Sequence, residues 1–270
     1  MIRSNFHTHT VFCDGKSTAR EMVEQAIRLG FTSLGFSGHV GGHECLATYS
    51  MSDESHAAYL AETARLKAEY ADRIKIYCGG ELDLFSETDP TRYDYTIGSA
   101  HHIKKGDSYL SVDESAEIER RNVDTFYGGD FDAYCEDYFK AVVECVKRFS
   151  PTFIGHIDLC MKFAEINGRT ETPRYLEAAR AAITELCKFD IPFEINTGAI
   201  SRGYRSTPYP SKNLLSMIKS AGGRIMINSD CHHADSLDCA FVEAEELAKK
   251  CGFDGHWIIT DKGLEFIKFS

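Results

Sequence analysis

The segment of residues 4–30, SNFHTHTVFCDGKSTAREMVEQAIRLG, contains the unit from which the chain is built. Ser4–His7 is short and suited to a strand, whereas Thr18–Leu29 carries its apolar residues at helical spacing. Ser17 or Thr18 is a suitable N-cap for that helix, and Gly30 is expected to cap its C-terminus. The segment therefore predicts one β-strand followed by one amphipathic α-helix.

The same alternation of strand and helix continues along the chain. Seven strand–helix units in series indicate a parallel α/β sheet, either open or closed into a barrel. No change of composition divides the chain, so we predict one domain over residues 1–270. Gly41–Asp53 and Gly106–Asp130 are predicted to be long loops that carry binding residues. The predicted strands are Ser4–His7, Ser33–Ser37, Ile74–Gly79, Tyr95–Ser99, Thr152–Gly155, Pro192–Asn196 and Arg224–Asn228, and the predicted helices are Thr18–Leu29, Glu54–Glu69, Asp132–Arg148, Pro173–Lys188, Ser211–Ala221, Leu237–Lys250 and Asp261–Ile267.

The composition excludes several classes of protein. The 270 residues include 30 Lys and Arg against 41 Asp and Glu, a formal net charge of −11, which disfavours binding to nucleic acid or anionic membranes. No apolar run has the roughly 18 residues of a membrane span, and the first residues lack the apolar stretch of a secretory signal. The ten cysteines contain no C-x-x-C pair, which favours reduced thiols. We therefore expect a cytoplasmic protein with no nucleic acid or membrane partner, and its oligomeric state stays open.

Histidines follow five of the seven predicted strands within a few residues. The carboxyl ends of parallel strands form one rim of an α/β fold, so these imidazoles are expected to converge there. Residues i and i+2 of an extended segment point to the same side, which pairs His7 with His9 and Asp230 with His232. The residues between them are expected to point away and to pack. The nine candidate metal ligands at this rim are His7, His9, Asp14, His39, Glu81, His101, His156, Asp230 and His232.

The candidate ligands define the chemistry that the rim can support. Imidazoles together with carboxylates suit Zn²⁺, Mn²⁺ or Fe²⁺ rather than Ca²⁺. Nine ligands exceed one tetrahedral site, so two or three divalent metal ions are expected. Clusters of several metals characteristically hydrolyse phosphate esters, because the ions polarise the ester and generate hydroxide near neutral pH. The pattern predicts a metal-dependent hydrolase that acts on a small phosphate ester.

The chain resembles the PHP (polymerase and histidinol phosphatase) family. The matching motifs occur in the family's order between residues 7 and 232: His7-Thr8-His9 with Asp14-Gly15, Ser37-Gly38-His39, Gly80-Glu81, Gly98-Ser99-Ala100-His101, Gly155-His156-Ile157-Asp158 and Ser229-Asp230-Cys231-His232. The resemblance implies a distorted, TIM-like (β/α)7 barrel with a trinuclear metal site at the C-terminal ends of the strands. It also implies three ligand sets, namely His7, His9, Glu81 and Asp230; Glu81, His101 and His156; and Asp14, His39 and His232.

Within the family, the chain is similar to the stand-alone histidinol phosphatases. The similarity rests on its length and on Gly155-His156-Ile157-Asp158-Leu159, Glu194-Ile195-Asn196-Thr197 and Tyr209-Pro210-Ser211. It implies hydrolysis of L-histidinol phosphate to L-histidinol and phosphate, a step of histidine biosynthesis. Two alternatives stay open: a phosphoesterase of the same family acting on a nucleotide or phosphotyrosine, and a non-catalytic metal-binding module that regulates a partner.

Cationic side chains near the rim are candidates for binding the phosphate group. Arg202 follows the sixth predicted strand and is the first candidate, in a catalytic and a substrate-binding role, because its guanidinium can bind phosphate oxygens in pairs. Lys162 and Arg169 follow the fifth strand and come next, and Arg205 is a weaker candidate. A surface cation without function is the alternative for each of them.

The rest of the substrate, an amine and an imidazole, needs acidic or polar partners. His43 and Glu44 are candidates because they lie on a predicted rim loop. Asp158 shares a side with His156 by i, i+2 spacing, so we expect it to orient a ligand, contact substrate or donate a proton. The alternative for Asp158 is a carboxylate that caps a turn or helix.

Overall fold

The computed structural model describes residues 2–269, in which short strands alternate with helices. Thr18 begins the first helix through a capping box with Glu21, and Leu29 is its C-cap, followed by Gly30 at a φ of +73°. The strands are β1 (Ser4–Asn5), β2 (Ser33–Phe36), β3 (Lys75–Asp83), β4 (Tyr95–Ser99), β5 (His102–Lys105), β6 (Ser108–Ser111), β7 (Phe153–Ile154), β8 (Phe193–Asn196), β9 (Ile225–Asn228), β10 (Gly255–Thr260) and β11 (Gly263–Lys268), and the helices are α1 (Ala19–Arg28), α2 (Asp53–Glu69), α3 (Ala116–Tyr127), α4 (Phe131–Phe149), α5 (Ala164–Asn167), α6 (Pro173–Leu186), α7 (Gly198–Ser201), α8 (Lys212–Ser220) and α9 (Phe241–Lys250).

Within residues 2–269, one parallel sheet of seven strands has the order β1-β2-β3-β4-β7-β8-β9. Beyond the regular strands, β9 meets β1 through a parallel bridge between Thr8 and Cys231, in which His9 N donates to Cys231 O at 2.9 Å. Phe6 N also donates to the side-chain Oδ1 of Asn228 at 2.8 Å. These contacts make a nearly closed barrel with helices around it, so the predicted (β/α)7 architecture is confirmed.

Tyr95 of β4 ties three strands together inside the barrel. Its hydroxyl lies 2.7 Å from Phe6 O and 2.8 Å from Phe36 O, both of which are buried. Gly35 and Gly79 make room for the ring, since an added Cβ would come within 2.4 Å of the Tyr95 hydroxyl and 2.2 Å of the ring, respectively. The interior on this side of the barrel is therefore built around one aromatic ring and two glycines.

The β10–β11 hairpin packs at the N-terminal ends of the strands. Ile259 joins the aromatic cluster that includes Tyr95, and Asp261 accepts from Lys75 Nζ at 3.0 Å and from Tyr77 Oη at 3.1 Å. Lys75 is the first residue of β3, so these contacts lie at the end of the barrel opposite the strand C-termini. That leaves the C-terminal rim as the face at which loops can build a site.

One predicted helix, Asp261–Ile267, is wrong. These residues form the turn and most of β11, which pairs antiparallel with β10 from Thr260↔Gly263 to Gly255↔Lys268. Gly263 takes a φ of +99°, a conformation that suits a tight turn and ends helical periodicity. The polar turn between two β-branched and aromatic runs is a hairpin signal that outweighs the short helical pattern.

The stretch Gly106–Asp130 is also more regular than the predicted loop. Ser108–Ser111 pairs with His102–Lys105 as an antiparallel hairpin, and Ser115 caps helix α3 by accepting from Ile118 N at 3.1 Å. Both elements are inserted between β4 and β7 of the barrel. The remaining predicted strands and helices are present, with ends that differ by a few residues. Within residues 2–269, no helix is long and apolar enough to cross a membrane.

We predict that Tyr95→Phe lowers the free energy of unfolding by about 1–2 kcal/mol, because the buried hydrogen bond that the single hydroxyl proton shares between two carbonyl oxygens is lost while the ring remains. Tyr134→Phe is the matched control: Tyr134 is fully buried, and its hydroxyl has no partner among the described residues. That control is expected to leave stability unchanged or slightly higher. Urea unfolding curves measure both, and equal effects of the two substitutions would contradict the assigned role of Tyr95.

Candidate metal centre

The C-terminal ends of the barrel strands surround a cavity of about 510 Å³. His7 and His9 follow β1 and are fully buried behind the other ligands, and His39 forms a parallel bridge with Glu81 of β3. The structure thus brings all nine predicted ligands to one place. The seven that line the cavity itself are Asp14, His39, Glu81, His101, His156, Asp230 and His232.

Glu81 is the centre of this cluster. Only 1% of the residue is exposed, and its carboxylate contacts five imidazoles that come from four different segments of the rim. Burial by itself would raise the pKa of Glu81, but the neighbouring histidines, His7 first, hold that pKa well below its usual range. The five distances from the Glu81 carboxylate are 3.2 Å to His7 Nε2, 3.4 Å to His9 Nε2, 3.0 Å to His39 Nδ1, 3.4 Å to His101 Nε2 and 3.1 Å to His156 Nε2.

Asp230 reaches the same cluster from a strained backbone. Its φ is +47°, in the left-handed region that residues other than glycine rarely adopt. Its Oδ1 lies 3.3 Å from His9 Nε2 and 3.7 Å from His7 Nε2. Burial would raise the pKa of Asp230, but Arg202 and then His7 hold it well below its usual range. The strain is found at the position where a second carboxylate meets the paired histidines.

The pKa values of the two histidines after β1 are shifted in opposite directions. Burial, followed by the neighbouring His39, lowers the pKa of His9 to about 3, so this imidazole is neutral. Burial also acts to lower the pKa of His7, but Glu194 and then Glu81 more than offset it, and the pKa is raised well above its usual value. A cation at this point would take the place of the proton on His7, because metal binding and protonation compete for the same nitrogen.

Four groups of ligand atoms lie close enough together to share a cation. Within each group, one atom from every residue lies within 4.8 Å of the others. The groups contain the same nine residues as the ligand sets implied by the family resemblance but divide them differently, because Glu81 is grouped with His7 and His156 and with His39 and His101 rather than with His9 and Asp230. They are His9, Asp14, His39 and His232; His7, His9 and Asp230; His7, Glu81 and His156; and His39, Glu81 and His101.

Unsatisfied buried atoms show that these residues fit a metal ion. His7 Nε2, His9 Nε2, Asp14 Oδ1 and Glu81 Oε2 are buried, and none of their contacts among residues 2–269 has the geometry of a hydrogen bond. A buried polar atom without a partner is costly, and four of them facing one another are rarely left so. Imidazole nitrogen and carboxylate oxygen are the donors that Zn²⁺, Mn²⁺ and Fe²⁺ accept together. The donor set therefore suits a centre of divalent transition metals.

Glu194 contacts two of the candidate ligands, His7 and His156, a role that the sequence did not predict. Its Oε1 lies 2.8 Å from His7 Nδ1, and its Oε2 accepts from His156 N at 3.0 Å. The amides of Asn196 and Asn228 donate to the same carboxylate at 2.8 and 3.0 Å. This arrangement turns the Nε2 atom of His7 towards Glu81. A carboxylate within the otherwise apolar strand β8 was the signal available in the sequence.

Asp83 holds the backbone of His101 and lies close to its ring. Its Oδ2 accepts from the backbone N of His101 at 2.6 Å and lies 3.4 Å from the ring Nδ1, while Oδ1 accepts from Phe85 N at 2.9 Å. Asp83 shares its side of β3 with Glu81, and that spacing was the only sequence signal for its position.

The structure brings two predicted phosphate-binding residues, Arg202 and Lys162, to the cavity wall. Arg202 Nη2 donates to Asp230 Oδ2 at 3.1 Å, and Nη1 lies 2.7 Å from His232 Nδ1. Lys162 Nζ donates to the backbone O of Asp113 at 2.7 Å and to its Oδ2 at 3.1 Å. Both cations are thus fixed by carboxylates at the edge of the ligand cluster.

Three other predicted substrate residues lie outside the cavity lining. Arg169 is turned away because its Nε donates to Glu119 Oε1 at 3.2 Å and its guanidinium lies over the Phe131 ring. The His43 ring stacks on Tyr109 with centroids 4.0 Å apart, and Glu44 is exposed. The loop after β2 directs His43 and Glu44 away from the cavity, and the ion pair with Glu119 does the same for Arg169, so the predictions for these three residues are corrected.

Asp158 is also withdrawn from the cavity. It is fully buried, and its Oδ2 accepts from Arg205 Nη1 at 3.3 Å and from Ser211 N at 3.1 Å. Burial raises the pKa of Asp158 although Arg205 opposes that shift. The i, i+2 argument fails here because the backbone turns at Asp158 into the short 3₁₀ turn Leu159–Met161, where strand alternation no longer applies. The predicted contact with the reacting groups is therefore corrected to a structural one.

Comparison with known proteins agrees with this geometry. The histidinol-phosphatase of Bacillus subtilis is 23% identical over 273 residues, covering 93% of this chain and all of that protein. The histidinol-phosphatase of Lactococcus lactis is 24% identical over 282 residues, covering 99% and 97% of the two chains. A crystal structure of the Lactococcus lactis histidinol phosphate phosphatase, complexed with zinc, L-histidinol and phosphate, covers 97% of this chain and 98% of its own, with a TM-score of 0.73 at 22% identity, which shows the shared fold. The family model for the PHP domain matches residues 5–198, and the chain belongs to the PHP domain family.

Proposed function

We propose that this chain is a metal-dependent histidinol-phosphatase, which hydrolyses L-histidinol phosphate to L-histidinol and phosphate. The observation that carries the proposal is the convergence of nine imidazole and carboxylate side chains on one cavity at the C-terminal rim of the barrel. Relatives that match over nearly the whole chain are histidinol-phosphatases, which supports the choice of substrate within the family.

We infer that two or three divalent ions, zinc, manganese or iron, bind in the cluster. Glu81 joins neighbouring groups, since it belongs to two of the four sets of close ligand atoms. When bound, such ions would neutralise the phosphoryl oxygens and lower the pKa of the water that attacks phosphorus. Glu194 orients the His7 ring for that purpose through its contact with Nδ1, and Asp83 fixes the backbone of His101.

The cations on the cavity wall bind the phosphate group of the substrate. The reaction joins a water oxygen to phosphorus and breaks the bond between phosphorus and the ester oxygen; one water proton ends on the leaving alcohol, and negative charge stays on the phosphoryl oxygens. Arg202 can donate from a planar fork to two of those oxygens, and its contact with Asp230 fixes the guanidinium beside the cluster. Lys162 supplies a second positive charge from the same wall.

The cavity selects for a small ester. Its volume of about 510 Å³ falls within the range of small-molecule sites, and the formal net charge of −11 disfavours a nucleic acid substrate. We infer that the natural substrate is a small phosphate monoester that enters this cavity.

We predict that protein purified without chelator contains divalent metal and hydrolyses L-histidinol phosphate with a kcat/KM at least about 100-fold above that for a nucleotide monophosphate or p-nitrophenyl phosphate, a preference of roughly 2.7 kcal/mol. Phosphate release from each ester and elemental analysis of the protein measure this. Comparable or faster turnover of another ester would contradict the substrate. Failure of metal-replete protein to release phosphate from any ester would contradict catalysis itself.

We predict that Glu194→Gln weakens metal binding about 10- to 100-fold, because the amide has a single accepting oxygen and cannot accept from both His7 Nδ1 and His156 N as the two carboxylate oxygens do. Competition between the metal-free protein and a coloured zinc chelator measures the affinity. Glu117→Gln, which alters an exposed carboxylate on α3, is the matched control and should leave the affinity unchanged. Equal affinities of Glu194→Gln and the control would remove Glu194 from its assigned role.

A further inference from the structure

The wall of the cavity beyond the ligand cluster carries two acidic side chains that the metal centre does not use. Asp113 and Glu114 line the cavity, and both come from the segment that joins β6 to α3. Neither residue belongs to a group of close ligand atoms among residues 2–269. These carboxylates therefore face the space that the rest of the substrate, rather than the metal ions, would occupy.

The segment that bears Asp113 is fixed next to the cluster. Val112 N donates to His101 O at 2.8 Å, and Ser111 pairs with His102 in the β5–β6 hairpin. Lys162 Nζ holds the segment from the other side through the backbone O of Asp113 at 2.7 Å. Asp113 is thus placed between a predicted ligand and a predicted phosphate-binding cation, at a defined position in the wall.

One carboxylate oxygen of Asp113 is available to a ligand. Lys162 engages Oδ2 at 3.1 Å, whereas no donor within residues 2–269 contacts Oδ1. Burial would raise the pKa of Asp113, but Lys162 and then His101 hold it well below its usual range, so the group is ionised at neutral pH. Glu114 adds a second carboxylate to this wall and has no ion pair among the described residues.

The charges on this wall favour a cation. Lys162 pairs with Asp113, and Glu114 adds a carboxylate without an ion pair among the described residues, so this segment of the wall has excess negative charge. Arg202 instead pairs with Asp230 in the ligand cluster, which suits metal ions and phosphate. A substrate that carries a phosphate at one end and an ammonium group nearby matches this division of charge. An ester without the ammonium group would leave Asp113 Oδ1 without a partner in the closed complex.

We propose that Asp113 binds the primary ammonium group of the substrate through Oδ1, and that this contact selects amine-bearing phosphate monoesters over those without an amine. The inference rests on the proposed function and adds the residue that recognises the amine of the substrate. Asp113 is a specificity-determining residue in this account, and Lys162 positions it.

The test compares two esters that differ only in the amine: L-histidinol phosphate and the phosphate ester of imidazolepropanol. Asp113→Asn is expected to lower kcat/KM for the amine-bearing ester about 30-fold, mainly through KM, because a charged hydrogen bond is lost. The amine-free ester should change by less than about threefold, since the amide oxygen of the substituted side chain would still accept from Lys162. Asp107→Asn, an exposed acid in the turn of the same hairpin, is the control and should leave both esters unchanged.

Each outcome decides the proposal. Equal losses for the two esters would show that Asp113 acts only as a structural partner of Lys162 and would overturn it, as would no loss for either ester. Partial recovery of the amine preference in Asp113→Glu would support it. If wild-type protein hydrolyses a nucleotide but neither imidazole ester, the proposed function fails and this inference fails with it. An unchanged preference in Asp113→Asn on a working histidinol phosphate hydrolase refutes the inference alone.

Discussion

A buried carboxylate surrounded by five imidazoles is the constraint on which the site depends. Glu81 is almost wholly excluded from solvent, and its oxygens lie 3.0–3.4 Å from nitrogens of five histidines. Such a group is costly to bury unless positive charge compensates it. Protonated imidazoles repel one another, and His9 is held neutral, so bound cations are the natural source of that charge. The chemistry of the rim follows from this balance.

The closure of the barrel gives the cluster its geometry. The bridge between Thr8 and Cys231 places the segments after β1 and β9 side by side, with both bridging residues fully buried. Because strand side chains alternate, the bridge sends the residues flanking Thr8 and those flanking Cys231 towards the same point. A slip of one residue would turn the paired ligands away. The left-handed backbone of Asp230 at this join is a cost that the surrounding contacts hold in place.

Much of the site could be predicted from local spacing in the sequence. The pairs His7 and His9, and Asp230 and His232, follow from strand alternation, and the strand ends bring in the other ligands because parallel strands share one rim. The same reasoning failed for Asp158, where the chain leaves extended geometry within two residues of a ligand. Local spacing cannot report such a turn without knowledge of what packs against it.

Contacts between segments that lie far apart in the sequence could not be predicted from local patterns. Arg169 is drawn to Glu119 on α3, an element that was predicted to be loop, and Asp113 reaches the cavity on that same insertion. Glu194 could be seen as an unusual residue for a buried strand, but its contact with His7 joins residues 187 positions apart in the sequence. The β10–β11 hairpin forms instead of the predicted helix because Gly263 turns the chain and the two strands pair along their whole length.

The most direct test of the account is anomalous diffraction from crystals of protein prepared without chelator, recorded at the absorption edges of zinc, iron and manganese. The account predicts two or three anomalous peaks in the rim cavity, each bonded to members of the nine-residue cluster, with Glu81 bonded to two of the ions. Metal peaks only outside this cavity, or a fully soaked crystal whose cluster binds no metal, would contradict it.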